Sequence, residues 1–256
     1  ELTRQNVSVG LSGDGGDELF CGYSRYHQTQ KAWQKLQHFP YPIRKFLSAI
    51  IKLLPGAPIE RVMNLLPKNI QVAHISDRLP KFSDLMKEET FGNFYRHQVS
   101  LYNDPQSIVI NGSEPRTDIS LIDELPESMN YLDRMMYTDS VTYLPGDILT
   151  KVDRASMAVS LEARVPFLDH RVVELAWSAP LNLKYKNGDG KWLLKQLLNQ
   201  HVPLEMFERP KKGFSVPIEE WLRGPLRDWS EELLSTSRLK RDDFFQPEPI
   251  QRMLKE

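Results

Sequence analysis

The pattern of apolar and polar residues at the start of the chain predicts a short strand followed by a helix. Val7, Val9 and Leu11 are apolar and β-prone, so residues 6–11 are expected to form a short buried strand. A loop with three glycines follows at residues 12–16, and apolar residues then continue at helical spacing from Asp17 to residue 36. A strand, a glycine loop and a helix make half of a βαβ unit, so we expect most of any parallel sheet to lie outside this sequence.

Amphipathic spacing predicts helices along the rest of the chain, where no other segment has a convincing strand pattern. Residues 105–125 are the most loop-like and form a candidate mobile insertion, because Asn111-Gly112 and Pro115 interrupt them. We predict two helices within residues 79–102 and single helices at residues 43–54, 58–66, 128–143, 146–159, 169–177, 191–199, 218–222, 226–234 and after Pro249.

Composition and charge narrow the class of protein. The 256 residues suffice for one large or two smaller domains with a sizeable core. The 33 Lys+Arg nearly balance the 34 Asp+Glu, which argues against a general affinity for nucleic acid. No apolar run approaches the roughly 18–20 residues of a membrane-spanning helix. Cys21 is the one cysteine, so no internal disulfide can form, and a reducing, cytoplasmic compartment is expected.

The glycine-rich segment Ser12–Phe20 is the most informative stretch, and it departs from the common phosphate and metal motifs. A Walker loop ends in Gly-Lys-Ser/Thr, whereas this loop ends in Gly-Asp-Glu. In the Rossmann fingerprint the third glycine would stand where Glu18 stands. The ligand spacing of an EF-hand is absent as well.

A loop at the carboxyl end of a strand is nevertheless where α/β proteins place ligands. Its glycines allow close approach of a ligand, and the N–H groups of the following helix suit phosphate. Asp14 and Asp17 make sense beside a phosphate if Mg2+ lies between them, or if one of them acts as a base. The alternative interpretation is structural: Asp17 caps the helix and Asp14 is a turn residue.

Two further stretches carry charge. Asp147, Lys151 and Arg154 fall on neighbouring turns of one predicted helix face, where each charge can pair with the next. These residues are either functional groups or members of a structural ion network. Residues 209–214, Arg-Pro-Lys-Lys-Gly-Phe, form a compact basic turn that either closes over a site or is simply solvated. The six histidines show no metal spacing, and Cys21 is expected to be a buried, inert thiol.

Together these stretches closely resemble the synthetase domain of the glutamine-dependent asparagine synthetases. The resemblance rests on residues 12–20, 144–154, 162–169 and 209–211, which occur here in the family's order. It implies an α/β fold: a partial adenine-nucleotide alpha-hydrolase-like (ATP-pyrophosphatase) synthetase domain, whose visible part is mainly helical. Residues 1–256 would be its C-terminal part, with the amidotransferase domain and the first phosphate loop, Ser-Gly-Gly-x-Asp-Ser, absent from this sequence.

The resemblance also implies chemistry. In this family Mg-ATP adenylates the side chain of aspartate, and ammonia derived from glutamine attacks the β-aspartyl-AMP to give asparagine, AMP and pyrophosphate. The implied cofactors are ATP and Mg2+, and the implied partners are aspartate, ammonia or glutamine, and an amidotransferase domain in the same polypeptide. A homodimer is compatible with the resemblance, whereas nucleic acid and membrane are not expected. Without the first phosphate loop, these residues alone are expected to be inactive.

Site residues follow position by position from the resemblance. Asp14 matches an acidic position, often Glu, that is implied to be the base for the attacking ammonium, and Asp17 matches the carboxylate that holds Mg2+. The residues that match positions contacting ATP are Ser12, Gly13 and Gly15.

The basic residues are the remaining candidates. Lys211 matches a lysine that stabilises negative charge developing on the phosphate and the tetrahedral intermediate, a role in which a fixed cation accelerates a reaction strongly. Arg164 and Lys151 are candidates for the aspartate pocket.

Two alternatives remain open at the level of the sequence. Asp14 is one methylene shorter than Glu, which favours a relative that amidates another carboxylate, of the polysaccharide-cluster, β-lactam or lasso-peptide type. A non-catalytic scaffold is a further alternative, weakened because Asp14, Asp17 and Lys211 are all present.

Overall fold

The computed structural model describes residues 1–53, 79, 82–207 and 216–254, and it divides the chain into two compact units. The first unit comprises residues Glu1–Val99 and Thr117–His201, and the second comprises Ser100–Arg116 and Val202–Glu256. The predicted helix at residues 58–66 lies outside the described residues. Across the described part of the chain, no helix combines the length and the apolar character that crossing a membrane requires.

Helices dominate both units, as the amphipathic pattern predicts. The first unit contains α1 (Gly16–Leu19), α2 (Ser24–Gln37), α3 (Tyr41–Leu53), a helical stretch at residues 82–85, α4 (Phe91–Val99), α5 (Tyr131–Val141), α6 (Thr150–Met157), α7 (His170–Ser178), α8 (Leu181–Lys184) and α9 (Trp192–Asn199). The second contains α10 (Leu204–Phe207), α11 (Ile218–Arg223), α12 (Arg227–Leu233), α13 (Thr236–Asp242) and α14 (Pro247–Met253). The prediction missed two short helices, α8 and α13.

The first unit is mostly helical and contains one short parallel strand pair. Strand β1 (Val9–Leu11) pairs with β2 (Glu162–Arg164), so the predicted strand forms over its last three residues. The pattern missed β2 because Glu-Ala-Arg is polar and its pairing with β1 defines it. The expectation of a buried strand is wrong, since Val7 and Leu11 are exposed. Only two strands pair in the described part of this sheet.

The helix predicted to run unbroken from Asp17 to residue 36 is interrupted. Helix α1 ends after one turn, and α2 begins at Ser24. Cys21 between them has φ +54°, in the left-handed region. The break is held by an antiparallel pair of two-residue strands, β3 (Tyr185–Lys186) and β4 (Asp189–Gly190), after which the N–H of Lys191 donates to the Phe20 carbonyl at 2.8 Å.

A π-helix, Leu144–Leu149, precedes α6 and replaces the first part of the helix predicted at residues 146–159. Pro145 has no N–H to donate, and the Thr150 hydroxyl donates to the Pro145 carbonyl at 2.8 Å. The wider turn of the π-helix changes the helical period on which the predicted pairing of Asp147, Lys151 and Arg154 depends.

The prediction that these three residues pair is wrong. All three side chains are exposed and form no ion pair with one another.

The apolar core of the first unit consists of two clusters. The larger is rich in aromatic and methionine side chains from α2, α4 and α5, among them Trp33, Phe91, Phe94, Met135 and Met136. The smaller packs Leu19 and Phe20 against Ala176 of α7, and so buries the end of α1. Burial of this kind contributes roughly 25 cal/mol per Å² of apolar surface.

The loop-like stretch at residues 105–125 is divided between the units: residues 105–116 belong to the second unit and residues 117–125 to the first. Its first part pairs with the segment between α13 and α14 in the second unit, since the Ile110 N–H donates to the Phe244 carbonyl and the Gln246 N–H donates to the Ile108 carbonyl. Its last part forms a 3-10 helix, Asp118–Glu124, in the first unit. The mobility of this stretch stays a prediction.

A buried carboxylate joins three helices of the first unit. Asp139 on α5 accepts hydrogen bonds from the hydroxyls of Tyr26 on α2, at 2.7 Å, and Tyr95 on α4, at 2.6 Å. It also pairs with the Arg25 guanidinium at 2.5 Å. Burial and then the charge of Asp139 raise the pKa of both tyrosine hydroxyls, which therefore remain donors.

Replacing the carboxylate tests this cluster. We expect Asp139→Asn to lower the free energy of unfolding by about 2–3 kcal/mol, because it leaves the partly buried Arg25 without its counter-charge. Tyr26→Phe, which removes one hydroxyl and keeps the charge pair, should cost about 1 kcal/mol. Urea denaturation measures both values, and equal effects of the two variants would contradict the central role of the charge.

Candidate functional site

The glycine-rich loop begins where β1 ends, as the sequence predicts. The N–H of Ser12 donates to the Arg164 carbonyl at 2.8 Å, which extends the strand pairing into the loop. Gly15 has φ +80°, and a Cβ there would lie 2.7 Å from Leu168 Cδ2, so both backbone and space require glycine. A Cβ on Gly13 would meet nothing within 4 Å, which leaves this part of the loop open to a ligand. Helix α1 is only one turn long, so its dipole is a weaker source of positive potential than a longer helix would give.

The candidate base lies beside a candidate ATP contact. The Ser12 hydroxyl donates to Asp14 Oδ2, and both side chains are partly exposed. This contact brings two of the predicted site residues together at the open end of the loop. It also orients the carboxylate of Asp14, so that one of its oxygens is engaged by the loop itself.

Asp17, the predicted metal ligand, is engaged by a residue that the sequence analysis missed. Its Oδ2 accepts from Lys191 Nζ at 2.8 Å, and both side chains are about 30% exposed. Gly22 makes room for this pair, since a Cβ there would lie 2.1 Å from Asp17 Oδ1 and 2.4 Å from Lys191 Cε. No sequence pattern links residues 174 positions apart, and the Asn187-Gly188 pair, a turn signal that the sequence analysis did not use, could have indicated only the hairpin before Lys191.

A buried carboxylate and three partly buried side chains form a polar layer next to the loop. Glu18 is almost fully buried and accepts from the Tyr23 hydroxyl at 2.8 Å. Burial raises the pKa of the Glu18 carboxyl. The Arg25 guanidinium lies 4.2 Å from the centre of the Tyr23 ring and 4.8 Å from that of Tyr143. This layer links the loop to the Asp139 cluster through Arg25.

Cys21 is buried, as predicted, and burial raises the pKa of its thiol to about 12. A thiol of this kind is a poor nucleophile, because the thiolate is the reactive form. Its expected inertness therefore agrees with its surroundings.

The basic candidates fall in different places. Lys211 and the basic turn at residues 209–214 lie outside the described residues, so the role of Lys211 stays a prediction. Arg164 is exposed on β2 and pairs with Glu162 at 2.7 Å, while its carbonyl binds the loop at Ser12. Lys151 is exposed on α6. Their part in an aspartate pocket stays a prediction.

The side chains near the loop limit how the implied Mg2+ could be bound. Among residues 1–53, 79, 82–207 and 216–254, no group of three or more His, Cys, Asp or Glu side chains could hold a metal ion. Asp17 is the carboxylate that matches the metal position, while the nearby Asp14 carboxylate accepts a hydrogen bond from the Ser12 hydroxyl. Mg2+ is often held by one or two carboxylates together with substrate phosphates and water, so this arrangement fits the ion only when a phosphate supplies further oxygens.

Comparison with known proteins supports the resemblance seen in the motifs. A family model described as asparagine synthase matches residues 1–256. The chain is 31% identical over 237 residues to asparagine synthetase [glutamine-hydrolyzing] 1 of Bacillus subtilis (strain 168), covering 92% of this chain and 35% of that protein. It is 33% identical over 241 residues to a Mycobacterium tuberculosis (strain ATCC 25618 / H37Rv) protein that carries a provisional name as a glutamine-hydrolysing asparagine synthetase, with 92% and 34% covered.

More distant relatives carry a different name. Amidase chyE of Penicillium rubens is 25% identical over 253 residues, covering 92% of this chain and 36% of that protein. The chain therefore spans about a third of the length of the curated relatives it matches. No solved structure matches the chain.

The close approach at Gly22 generates a prediction. We expect Gly22→Ala to separate Asp17 from Lys191 and to destabilise the chain by about 1–3 kcal/mol, because the added methyl overlaps both side chains. Gly10→Ala is the matched control, since its Cβ would meet only Leu161 Cδ2 at 4.0 Å. Urea denaturation compares the two variants, and equal unfolding midpoints would refute the steric argument.

The buried thiol gives a second prediction, on pH. The native pKa of Cys21, about 12, lies above the ordinary value of 9.0, so unfolding releases a proton and native stability falls as the pH rises from 9 towards 12. At pH 8.5 we expect iodoacetamide to modify native Cys21 at least about a hundredfold more slowly than the urea-unfolded chain. Mass spectrometry of the peptide containing Cys21 measures both rates, and similar rates would show that the thiol is accessible.

Proposed function

The chain belongs to the asparagine synthase family, and from that premise we propose that it supplies the ATP-dependent step that converts aspartate to asparagine. The observation that carries the proposal is the loop at the end of β1, where Ser12, Asp14 and Asp17 lie on an open, glycine-lined turn. Family membership supports ATP-dependent amide formation in general, and the choice of aspartate and of glutamine as nitrogen donor is part of the proposal.

The proposed reaction has two steps. A carboxylate oxygen of aspartate attacks the α-phosphorus of ATP, forming a P–O bond while the bond to pyrophosphate breaks. Ammonia then attacks the activated carbonyl carbon, the C–O bond to AMP breaks, and the surplus proton leaves the nitrogen. A base is needed for that proton, and a cation is needed near the charge that develops on oxygen.

The residues of the loop divide this work. Ser12, Gly13 and Gly15 line the turn that would receive the phosphates of ATP, and Asp14 at its open end would take the proton. Asp17 would hold Mg2+, which neutralises phosphate charge when it is bound. Lys211 is proposed as the cation that stabilises the developing charge.

Several features of the full protein are proposed because this chain spans only about a third of the length of its relatives. The glutamine-hydrolysing domain, the first phosphate loop, the ammonia partner and the cytoplasmic location all belong to this proposal, as does a homodimer. The lengths of the relatives support further segments in the full protein. Residues 1–256 alone are proposed to be the C-terminal part of the synthetase domain, and inactive by themselves.

A second candidate function keeps the adenylation chemistry and changes the acceptor carboxylate. Two observations favour it: the shortened acid Asp14, already engaged by Ser12, and the similarity to an amidase of Penicillium rubens. A scaffold without catalysis is the weakest alternative, because Asp14 and Asp17 are both present on the loop.

Product analysis tests the function and the role of Asp14 together. In the protein at its full natural length, we expect ATP, Mg2+, aspartate and ammonia to yield AMP, pyrophosphate and asparagine in equal amounts. Asp14→Asn should lower kcat by roughly 10²–10⁴-fold while changing KM for ATP much less, because it removes the base and leaves the phosphate contacts. Mass spectrometry of asparagine and a coupled pyrophosphate assay supply the measurements.

The controls separate the alternatives. Asp104→Asn, an exposed acid of the second unit, should leave both constants unchanged. AMP formed only with another carboxylate would establish the second candidate function. Absence of AMP with every acceptor tested, from folded protein, would overturn the enzymatic proposal.

A further inference from the structure

Lys191 stands at a strained point of the backbone. It follows β4, has φ +56°, and precedes the first residue of α9. The left-handed conformation costs a non-glycine residue roughly 1–2 kcal/mol, so the surrounding contacts must impose it. The contact that does so is the hydrogen bond from the Lys191 N–H to the Phe20 carbonyl, at 2.8 Å. The backbone is thus held where the side chain reaches the glycine-rich loop.

Close backbone approach on both sides supports this placement. A Cβ on Gly190 would lie 2.0 Å from the Cys21 carbonyl oxygen, so β4 packs directly on the break between α1 and α2. On the other side, a Cβ on Gly22 would overlap Lys191 Cε. The absence of a side chain at Gly190 lets β4 approach the Cys21 backbone, and its absence at Gly22 leaves room for the Lys191 side chain beside Asp17.

The ammonium of Lys191 serves the loop as well as Asp17. It lies 2.8 Å from Asp17 Oδ2 and 3.7 Å from the position of a Cβ on Gly16. Asp14 and Asp17 are both acidic, and their charges oppose the approach of a polyphosphate. A cation fixed beside Asp17 reduces that repulsion and fixes the direction of the Asp17 carboxylate.

We propose that Lys191 is a positioning residue for Asp17, holding its carboxylate in the orientation that Mg-ATP requires. The proposal rests on the proposed function of the loop. Lys191 acts through Asp17 rather than on the reacting atoms, and the strained backbone and the two glycines are the means by which the fold places it. The side chains of the pair are about 30% exposed, so a ligand can reach them.

Lys191→Met tests the proposal, with Lys195→Met as the matched control. Lys195 lies one turn later on α9 and pairs with Asp189 at 3.0 Å, with a similarly exposed side chain. In the protein at its full natural length, we expect Lys191→Met to weaken equilibrium binding of Mg-ATP by roughly fivefold in calorimetry, and to raise KM for Mg-ATP by a similar factor with a smaller change in kcat. Lys195→Met should leave these constants unchanged.

Alkylation of Cys21 reports on the contact without any need for activity. Because β4 and Lys191 pack over the Cys21 backbone, we expect Lys191→Met to speed modification of that thiol by roughly fivefold, measured on its peptide. If alkylation and thermal stability change but binding and KM do not, Lys191 is merely structural and the proposal is overturned. Unchanged or tighter binding of Mg-ATP would overturn it as well.

The outcomes also separate this proposal from the proposed function. Failure of the function appears in the unchanged protein, as folded material that binds Mg-ATP and makes no AMP with any acceptor. Failure of the Lys191 proposal appears only as equal Mg-ATP binding by the unchanged protein and Lys191→Met. Calorimetry decides the second question whether or not the first is answered in favour of catalysis.

Discussion

The buried carboxylate of Asp139 is the constraint on which the first unit depends. A charge in the interior is tolerated only when it is fully paired, and here two tyrosine hydroxyls and one guanidinium supply the partners. Because Tyr26, Tyr95 and Arg25 come from two helices, satisfying one carboxylate fixes α2 and α4 against α5. The aromatic core then fills the space that these helices enclose.

The same constraint extends to the candidate site. Arg25 stacks on Tyr23, and Tyr23 holds the buried Glu18, which lies next to Asp17 in the chain. From the opposite side, Lys191 holds Asp17 itself. The loop at the end of β1 is therefore connected to the Asp139 cluster through Glu18, Tyr23 and Arg25 and held by one ion pair at Asp17, while a Cβ at Gly13 would meet nothing within 4 Å.

Sequence reasoning succeeded where the physics is local. An amphipathic period is sufficient to predict α3, and an apolar run before a glycine loop is sufficient to predict β1 and the loop that follows it. It failed where distant residues decide the outcome. The polar strand β2 exists only because β1 pairs with it, and the break at Cys21 exists because β4 packs on it.

Charged residues show the same division. An aspartate in a helix resembles a surface residue in the sequence, so nothing local marks Asp139 as buried. The predicted row of Asp147, Lys151 and Arg154 assumed a regular α-helical period, and the π-helix at Leu144–Leu149 changes that period. The contact between Asp17 and Lys191 joins two separate segments and has no local signal.

The pairing of β1 with β2 has a consequence for folding. Val9 and Glu162 are partners although roughly 150 residues separate them, and the Asp17–Lys191 contact spans 174 positions. Contacts this distant in sequence close slowly, because the chain between them must first lose its freedom. The helical core can assemble from nearer neighbours, so we expect the glycine-rich loop to reach its native geometry among the last steps of folding.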